Sequence, residues 1–414
     1  MAGKTFKIML VLLLLLSLPG CYNYNEPDEI AWVLALGLDR GRENILTVTA
    51  VIAVPKDIAG AGGGEAASGG GSQGGFFTVS LEAPTLLSSL ELLNAVVDRR
   101  VNLSHTTWFI FSRELAEQGI NRYFAPIARF YQFRRTSHVV TCEGRADEFL
   151  TRGRPVMESN VSKYYELLQL GWKYTEFIPR DNFHTFYYEA HSIGVAPVTF
   201  LAALEKDERV FPDNSPKPKG EYEAGRLPRR GGGKIELMGA AVYKKGVMVG
   251  TLDADELGIR KMFNNTFKRT IMDVPDPNHP GKFIIMEVNP RTGPDIDISI
   301  DENGYPVIKV HLRLEGEVIS IQSGTHYETP ENIGIIEAAV EKKVMKDIAV
   351  TINKSKELEA DFFGFGLQAK KLFPTWPRWE AYRWDEKYPQ ADIEVTVDYR
   401  VRRTGLLHEM APIR

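Results

Sequence analysis

The stretch "TPENIGIIEAAVEKKVMKDIAVTINKSKEL", residues 329–358, places Ile336, Val340, Val344, Ile348 and Ile352 at a constant spacing of four, with charged residues on the far side. That is the pattern of an amphipathic helix that buries one face. Thr329 suits an N-cap, Pro330 the first helical position, and Glu331 the positive helix end. A helix of about 28 residues reaches roughly 40 Å, enough to lie across a whole sheet. The apolar stripe reads as core contact, not as a cofactor site.

The flanking sequence supplies the sheet. "GKFIIMEVNP" (281–290), "DIDISIDENGYPVIKVHLRLEGEVISI" (295–321) and "DIEVTVDYRVRRTG" (392–405) alternate apolar and polar residues. Period two on this scale predicts antiparallel strands with one wet face. Upstream, "KIELMGAAVYKKGVMVGTLDADE" (234–256) reads as a hairpin turning at "KKG", followed by a helix from "DADELGIRKMF". In the first half, "EIAWVLALGLDR" (29–40) and "ILTVTAVIAVP" (45–55) form a hairpin around "GREN". Helical stretches at 83–100 and 124–135 then alternate with strands at 76–81, 106–111 and 136–144. The expected fold class is α+β and multi-domain: an N-terminal mixed α/β unit, then a C-terminal, largely antiparallel sheet packed against a long helix. The expected divisions are a signal peptide (1–20), an N-terminal domain (21–200, with a subdivision near 155–165 left open), a linker or long loop (201–235) and a C-terminal domain (236–408).

A length of 414 residues suggests two or three domains with ample core. A net charge of −4 argues against a general nucleic-acid binder. Nine of the sixteen residues at 60–75 are Gly, but no Lys-Ser/Thr follows, so the segment reads as a flexible loop and not a phosphate cradle. The aromatic-rich stretch 155–200, from Tyr164 and Tyr165 through Trp172 to Tyr188, leaves two readings open: a ligand pocket, or core and domain packing. Residues 215–234 hold six Lys/Arg and two Glu, which suits a solvated loop or one touching anionic head groups. Cys142, in the apolar run "SHVVTCEG", reads as a small buried hydrophobe more readily than a reactive thiol.

The N-terminus, "KIMLVLLLLLSLPGCYNYNEPDEI" (7–30), has an apolar run at 8–18 that is too short to span a bilayer but fits the h-region of a signal peptide. No later run approaches the length of a transmembrane helix. Leu18-Pro19-Gly20-Cys21 resembles the lipobox of bacterial lipoproteins. The resemblance implies an S-diacylglyceryl thioether and an N-acyl (palmitate) group on Cys21, which becomes the first residue of the mature protein and its membrane anchor. With Cys21 acylated, Cys142 has no disulfide partner, and packing alone must hold the exported body together.

The most specific signal is "ADFFGFGLQAKKLFPTWPRWEAYRWDEKYPQADIEVTVDYRVRRTG" (360–405). It resembles the end of the spore germination receptor C-subunit lipoproteins, the Ger(x)C family, through Asp361, Gly364, Phe365, Gly366, Pro374, Trp379, Trp384, Val401, Arg402 and Gly405. Both Trp376 and Trp379 follow Pro374, so the usual Pro–Trp spacing is not unique here. "CYNYNEPDEIAWVLALGLDR" resembles the family's mature start, with Tyr22 and Asn23 in place of its Trp and Asp. "RRVNLSHTTWFIFSRELAEQGI" and "MGAAVYKKGVMVGTLDADE" resemble its central strand entry and its C-terminal-domain hairpin. The resemblance implies an accessory subunit, lipid-anchored at the outer face of the spore inner membrane. Its partners would be an integral-membrane A subunit and a polytopic B subunit of a nutrient germinant receptor, with a small-molecule ligand of its own unspecified. Trp376, Trp379 and Trp384 are candidates for core or for partner contact.

Two other classes compete, a hydrolytic and a solute-binding lipoprotein. Gly-x-Ser-x-Gly occurs only at 70–74, inside the Gly-rich run, His-Glu-x-x-His is absent from the sequence, and His184 and His191 form the closest histidine pair without a third ligand nearby. The pairs Asp253/Asp255 and Asp295/Asp297 share strand faces but lack a recognisable cleft. A solute-binding protein would show two α/β lobes, whereas this second half is strand-dominated. The expectation is therefore no catalytic residue, no metal and no cofactor.

Overall fold

The computed structural model describes residues 26–54, 75–158, 160–205 and 218–404, together with positions 3, 4, 6 and 9. Cys21, most of the expected signal peptide, the Gly-rich segment up to residue 74, residues 206–217 and Gly405 lie outside the described residues.

Nine strands form the first sheet: β1 (Ile30–Arg40), β2 (Leu46–Ala53), β3 (Phe76–Ala83), β4 (Arg100–Asn102), β5 (Trp108–Ser112), β6 (His138–Cys142), β7 (Val198–Leu204), β8 (Ile235–Lys244) and β9 (Val247–Leu252). Their order is β3-β2-β1-β5-β6-β7-β8-β9, with the short β4 beside the start of β1. β1, β5, β6 and β7 run parallel, and antiparallel hairpin strands flank them on both sides. Parallel strands are buried on both faces, which is why β5 and β7 read as nearly unbroken apolar runs. One face carries α1 (Leu86–Val96), α2 (Arg113–Gln118) and α3 (Asn121–Arg129); the other carries α4 (Ala146–Arg152) and α5 (Val161–Gln169), while α6 (Phe183–Ala190) joins the first group.

The aromatic stretch resolves as packing. Tyr165, Phe183 and Phe186 are buried, Tyr164, Trp172, Phe177 and Tyr187 are partly buried against them, and Tyr174 and Tyr188 are exposed. No sheet boundary falls at 155–165, because β7 returns to pair with β6 beyond it. β8 and β9 also extend this first sheet, so the sequence division at 235–236 runs between neighbouring strands of one sheet. The change of sheet comes after β9, at α7 (Ala254–Phe263), which Asp253 opens with a reciprocal capping box to Glu256.

The second sheet holds β10 (Thr270–Pro275), β11 (Phe283–Pro290), β12 (Asp295–Ile300), β13 (Pro306–Ile321) and β14 (Asp392–Arg403). The long helix is α8, Ile333–Glu357. It starts later than expected: Asn332 is the N-cap, and Thr329 instead closes a turn by accepting from the Asn332 and Ile333 amides. Ile336, Val340, Val344, Ile348 and Ile352 are all buried against the sheet, facing a core that includes Ile308, Val310, Leu312 and Leu314 of β13. β10 to β13 are antiparallel, but β14 pairs with β13 in parallel, a departure from the antiparallel expectation for that strand. Parallel pairing needs a long crossover, and the chain between β13 and β14 supplies it through α8. Two α8 carboxylates cover part of the free edge of β14: Glu341 accepts from the Tyr399 amide and Glu337 from the Val401 amide, both at 3.0 Å.

Candidate functional site

After α8 the chain turns sharply at Glu359, a left-handed residue whose carboxylate meets Lys244 of β8 at 2.8 Å. Asp361 follows, and its side chain is enclosed. One carboxylate oxygen accepts from the amides of Gly364 (2.9 Å) and Phe365 (3.1 Å). The other accepts from the Gly366 amide (2.8 Å) and the Trp384 indole N–H (3.0 Å). Burial pushes the Asp361 carboxyl up to about 7, and the backbone donors of Gly366 and Phe365 with the Trp384 indole oppose that rise. The loop closed by this aspartate starts α9 (Phe365–Ala369), with Gly364 in the left-handed conformation a side chain would resist.

The aspartate loop docks on the N-terminal half. The Ala196 amide donates to the Asp361 carbonyl at 2.8 Å, and the Gly194 amide to the Asp385 carboxylate at 3.2 Å. Around it, Phe373, Trp379, Tyr382, Trp384 and Tyr388 pack as a ladder of rings, drawn from α10 (Trp376–Tyr382), α11 (Trp384–Lys387) and their flanks. Trp379 and Trp384 are 1% and 0% exposed, so neither reaches a partner surface. Trp376 is 50% exposed, with the Lys370 ammonium 4.8 Å from its ring centre. Of the three candidates, only Trp376 is placed for an external contact.

A buried ionic network continues from the same loop. Arg260 of α7 donates to the Phe362 carbonyl at 2.9 Å and faces Asp181 at 3.4 Å and Glu189 at 3.8 Å. Its neighbour Lys261 pairs with Glu176 at 2.8 Å and donates to the Ile178 carbonyl at 3.0 Å. Burial pushes Glu189 up to about 8, with the Arg260 charge opposing. Lys261 is held below its ordinary value by burial, against the pull of Glu176. Charges placed this way are costly unless each is paired, and displacing the 176–189 segment would leave Arg260 and Lys261 without their carboxylates. Nothing in the sequence pattern of α7 signals it, because Arg260 and Lys261 look like ordinary exposed helix cations until the 176–189 segment covers them.

The other candidate residues do not assemble a reaction centre. Cys142 is fully buried, and burial raises its thiol well above the usual range. Asp253 caps α7, Asp255 pairs with Lys343 at 3.2 Å, and Asp295 and Asp297 lie on the wet face of the second sheet. His191 stacks on Tyr187 with ring centres 4.2 Å apart. Among the described residues no cluster of three or more His, Cys, Asp or Glu could hold a metal, and no helix is long and apolar enough to cross a membrane. The described cations of the basic 215–234 loop are largely engaged: Lys219 with Asp273, Arg226 with Glu223, and Arg229 with Glu236 and Glu205.

Comparison with known proteins accounts for both halves. Residues 238–405 match the family "Spore germination B3/ GerAC like, C-terminal", and residues 23–203 match "Spore germination protein N-terminal domain". The Asp361 loop and the ring ladder lie inside the first match. Spore germination protein KC of Bacillus subtilis (strain 168) is 24% identical over 98% of this chain and 97% of its own. Spore germination protein GerQC of Bacillus cereus is 21% identical over 96% of this chain and 98% of its own. The crystal structure of the GerBC protein shares the fold with a TM-score of 0.53, at 17% identity, over 89% of this chain and 96% of that one.

Proposed function

The chain belongs to the spore germination B3/GerAC-like family, and from that premise we propose that it is the lipid-anchored C subunit of a nutrient germinant receptor. It acts at the outer face of the spore inner membrane, held by acylated Cys21, beside an integral-membrane A subunit and a polytopic B subunit. Its contribution is non-catalytic. The observation that carries the reading is the end-to-end likeness to spore germination proteins of both organisms. The body supports it: the signature aspartate and tryptophans are spent on an internal junction.

The test is Cys21→Ala in a spore-former, with nutrient-triggered germination and fractionation followed together. Loss of membrane association with loss of the nutrient response is expected. A normal response from a protein recovered in the aqueous fraction overturns the anchor. The solute-binding alternative is separated by thermal unfolding across a nutrient panel, since a ligand of the native state raises apparent stability by RT ln(1 + [L]/Kd). The subunit reading expects no shift.

A further inference from the structure

The parallel strands β1, β5 and β6 all begin at one end of the first sheet, and the segments entering them meet there. Residues 26–29 lie against the α1–β4 connection, where Asp28, Glu29, Asn94, Asp98, Arg99 and Arg100 line an open groove of about 420 Å³. The β4–β5 connection is tied to the α3–β6 connection: the Leu103 amide donates to the Gln132 side chain at 2.9 Å, and Ser137 donates to the Thr106 carbonyl at 2.6 Å. The Trp32 ring meets His105 edge-on at 4.6 Å. The groove is mixed in charge. The α3–β6 connection is not: "RFYQFRRT", residues 129–136, has three arginines and no acid. Arg129, Arg134 and Arg135 are exposed and make no ion pair among the described residues, and Tyr131 between them is 79% exposed. Burial and the adjacent Arg134 charge hold His105 below its ordinary value.

We propose that residues 129–136 rest on an anionic phospholipid surface and set the orientation of the body on the membrane. Cys21 stands five residues before Glu26, so an acyl anchor there holds this end of the sheet within about 18 Å of the bilayer. The inference rests on that anchor. Arginines with an exposed tyrosine are the side chains that settle at a headgroup boundary, and each cation near such a surface contributes about 1 kcal/mol. The acyl chains supply attachment, and the arginines choose which end faces down.

The test uses the full acylated protein in phosphatidylglycerol–phosphatidylcholine vesicles containing a headgroup quencher. A fluorophore is placed on Thr136→Cys, and on Glu43→Cys at the opposite end of β1 as the control. Buried Cys142 does not take the label. Quenching several-fold stronger at 136 than at 43 is expected, falling with salt and with Arg134→Glu/Arg135→Glu at unchanged vesicle retention. Equal quenching at both probes overturns the proposal. So does quenching that is equally strong in phosphatidylcholine alone. The intact mass of the same sample reports the anchor separately. An unmodified Cys21 sinks both readings, whereas an acylated protein without the quenching difference sinks only this one.

Discussion

Gly194 and Gly366 meet backbone to backbone, with a Cβ added to Gly194 falling 2.7 Å from the Gly366 Cα. Gly194 also holds a φ of +87°. Gly366→Ala is expected to destabilise the protein by about 3 kcal/mol or more, because close-packed backbone cannot yield as a side chain can. Gly334 in the first turn of α8 has nothing within 4 Å. Gly334→Ala is expected to stabilise by about 0.5–1 kcal/mol. Urea unfolding of both variants checks the pair, and equal effects would contradict the junction described above.

Two neighbouring tryptophans should part company. Trp379→Ala removes a fully buried ring and is expected to cost about 3–5 kcal/mol. Trp376→Ala, at a half-exposed site, is expected to change stability by no more than about 0.5 kcal/mol. If Trp376 meets a partner, its loss lowers co-purification of the membrane subunits while the melting temperature holds.

Stability should fall between pH 6.5 and 8.5. A carboxyl whose value is higher in the folded than in the free state binds its proton more tightly when folded. The resulting advantage is present at low pH and lost as pH climbs through the folded value. Asp253 and Asp361 at about 7 and Glu189 at about 8 act in this direction. His105 and His138, held down by burial, act oppositely but only below their free value of 6.5. The expected loss is about 3 kcal/mol. Glu189→Gln keeps the shape without the charge and should flatten the slope in chemical unfolding at both pH values.

The thiol of Cys142 should stay unreactive toward maleimide in the native protein and label fully in denaturant, since only an exposed thiolate reacts. Native labelling as fast as in denaturant would show that β6 opens.

The amphipathic spacing of Ile336 to Ile352 announced α8 and the face it buries, and strand alternation announced the wet sheet. Local pattern carries that information because each residue's partner face repeats at a fixed interval. The direction of β14 was not legible, since alternation is the same in parallel and antiparallel pairs. The start of α8 moved because the Thr329 carbonyl holds the Asn332 and Ile333 amides in a turn, and Asn332 takes the N-cap position without a side-chain capping bond. Asp361 was visible as part of a motif, and three of its donors lie within five residues of it, but its Trp384 donor and the Arg260 and Lys261 contacts join segments 23 to 102 residues apart. No window of sequence shows such closures.

Because β8 and β9 complete a sheet begun two hundred residues earlier, the two recognised halves of the chain are interlocked. A chimera between related receptors spliced near residue 235 would strand β7 beside a foreign hairpin. One joined after Leu252 would exchange the second sheet and α8 as a unit and leave the nine-stranded platform in native pairing.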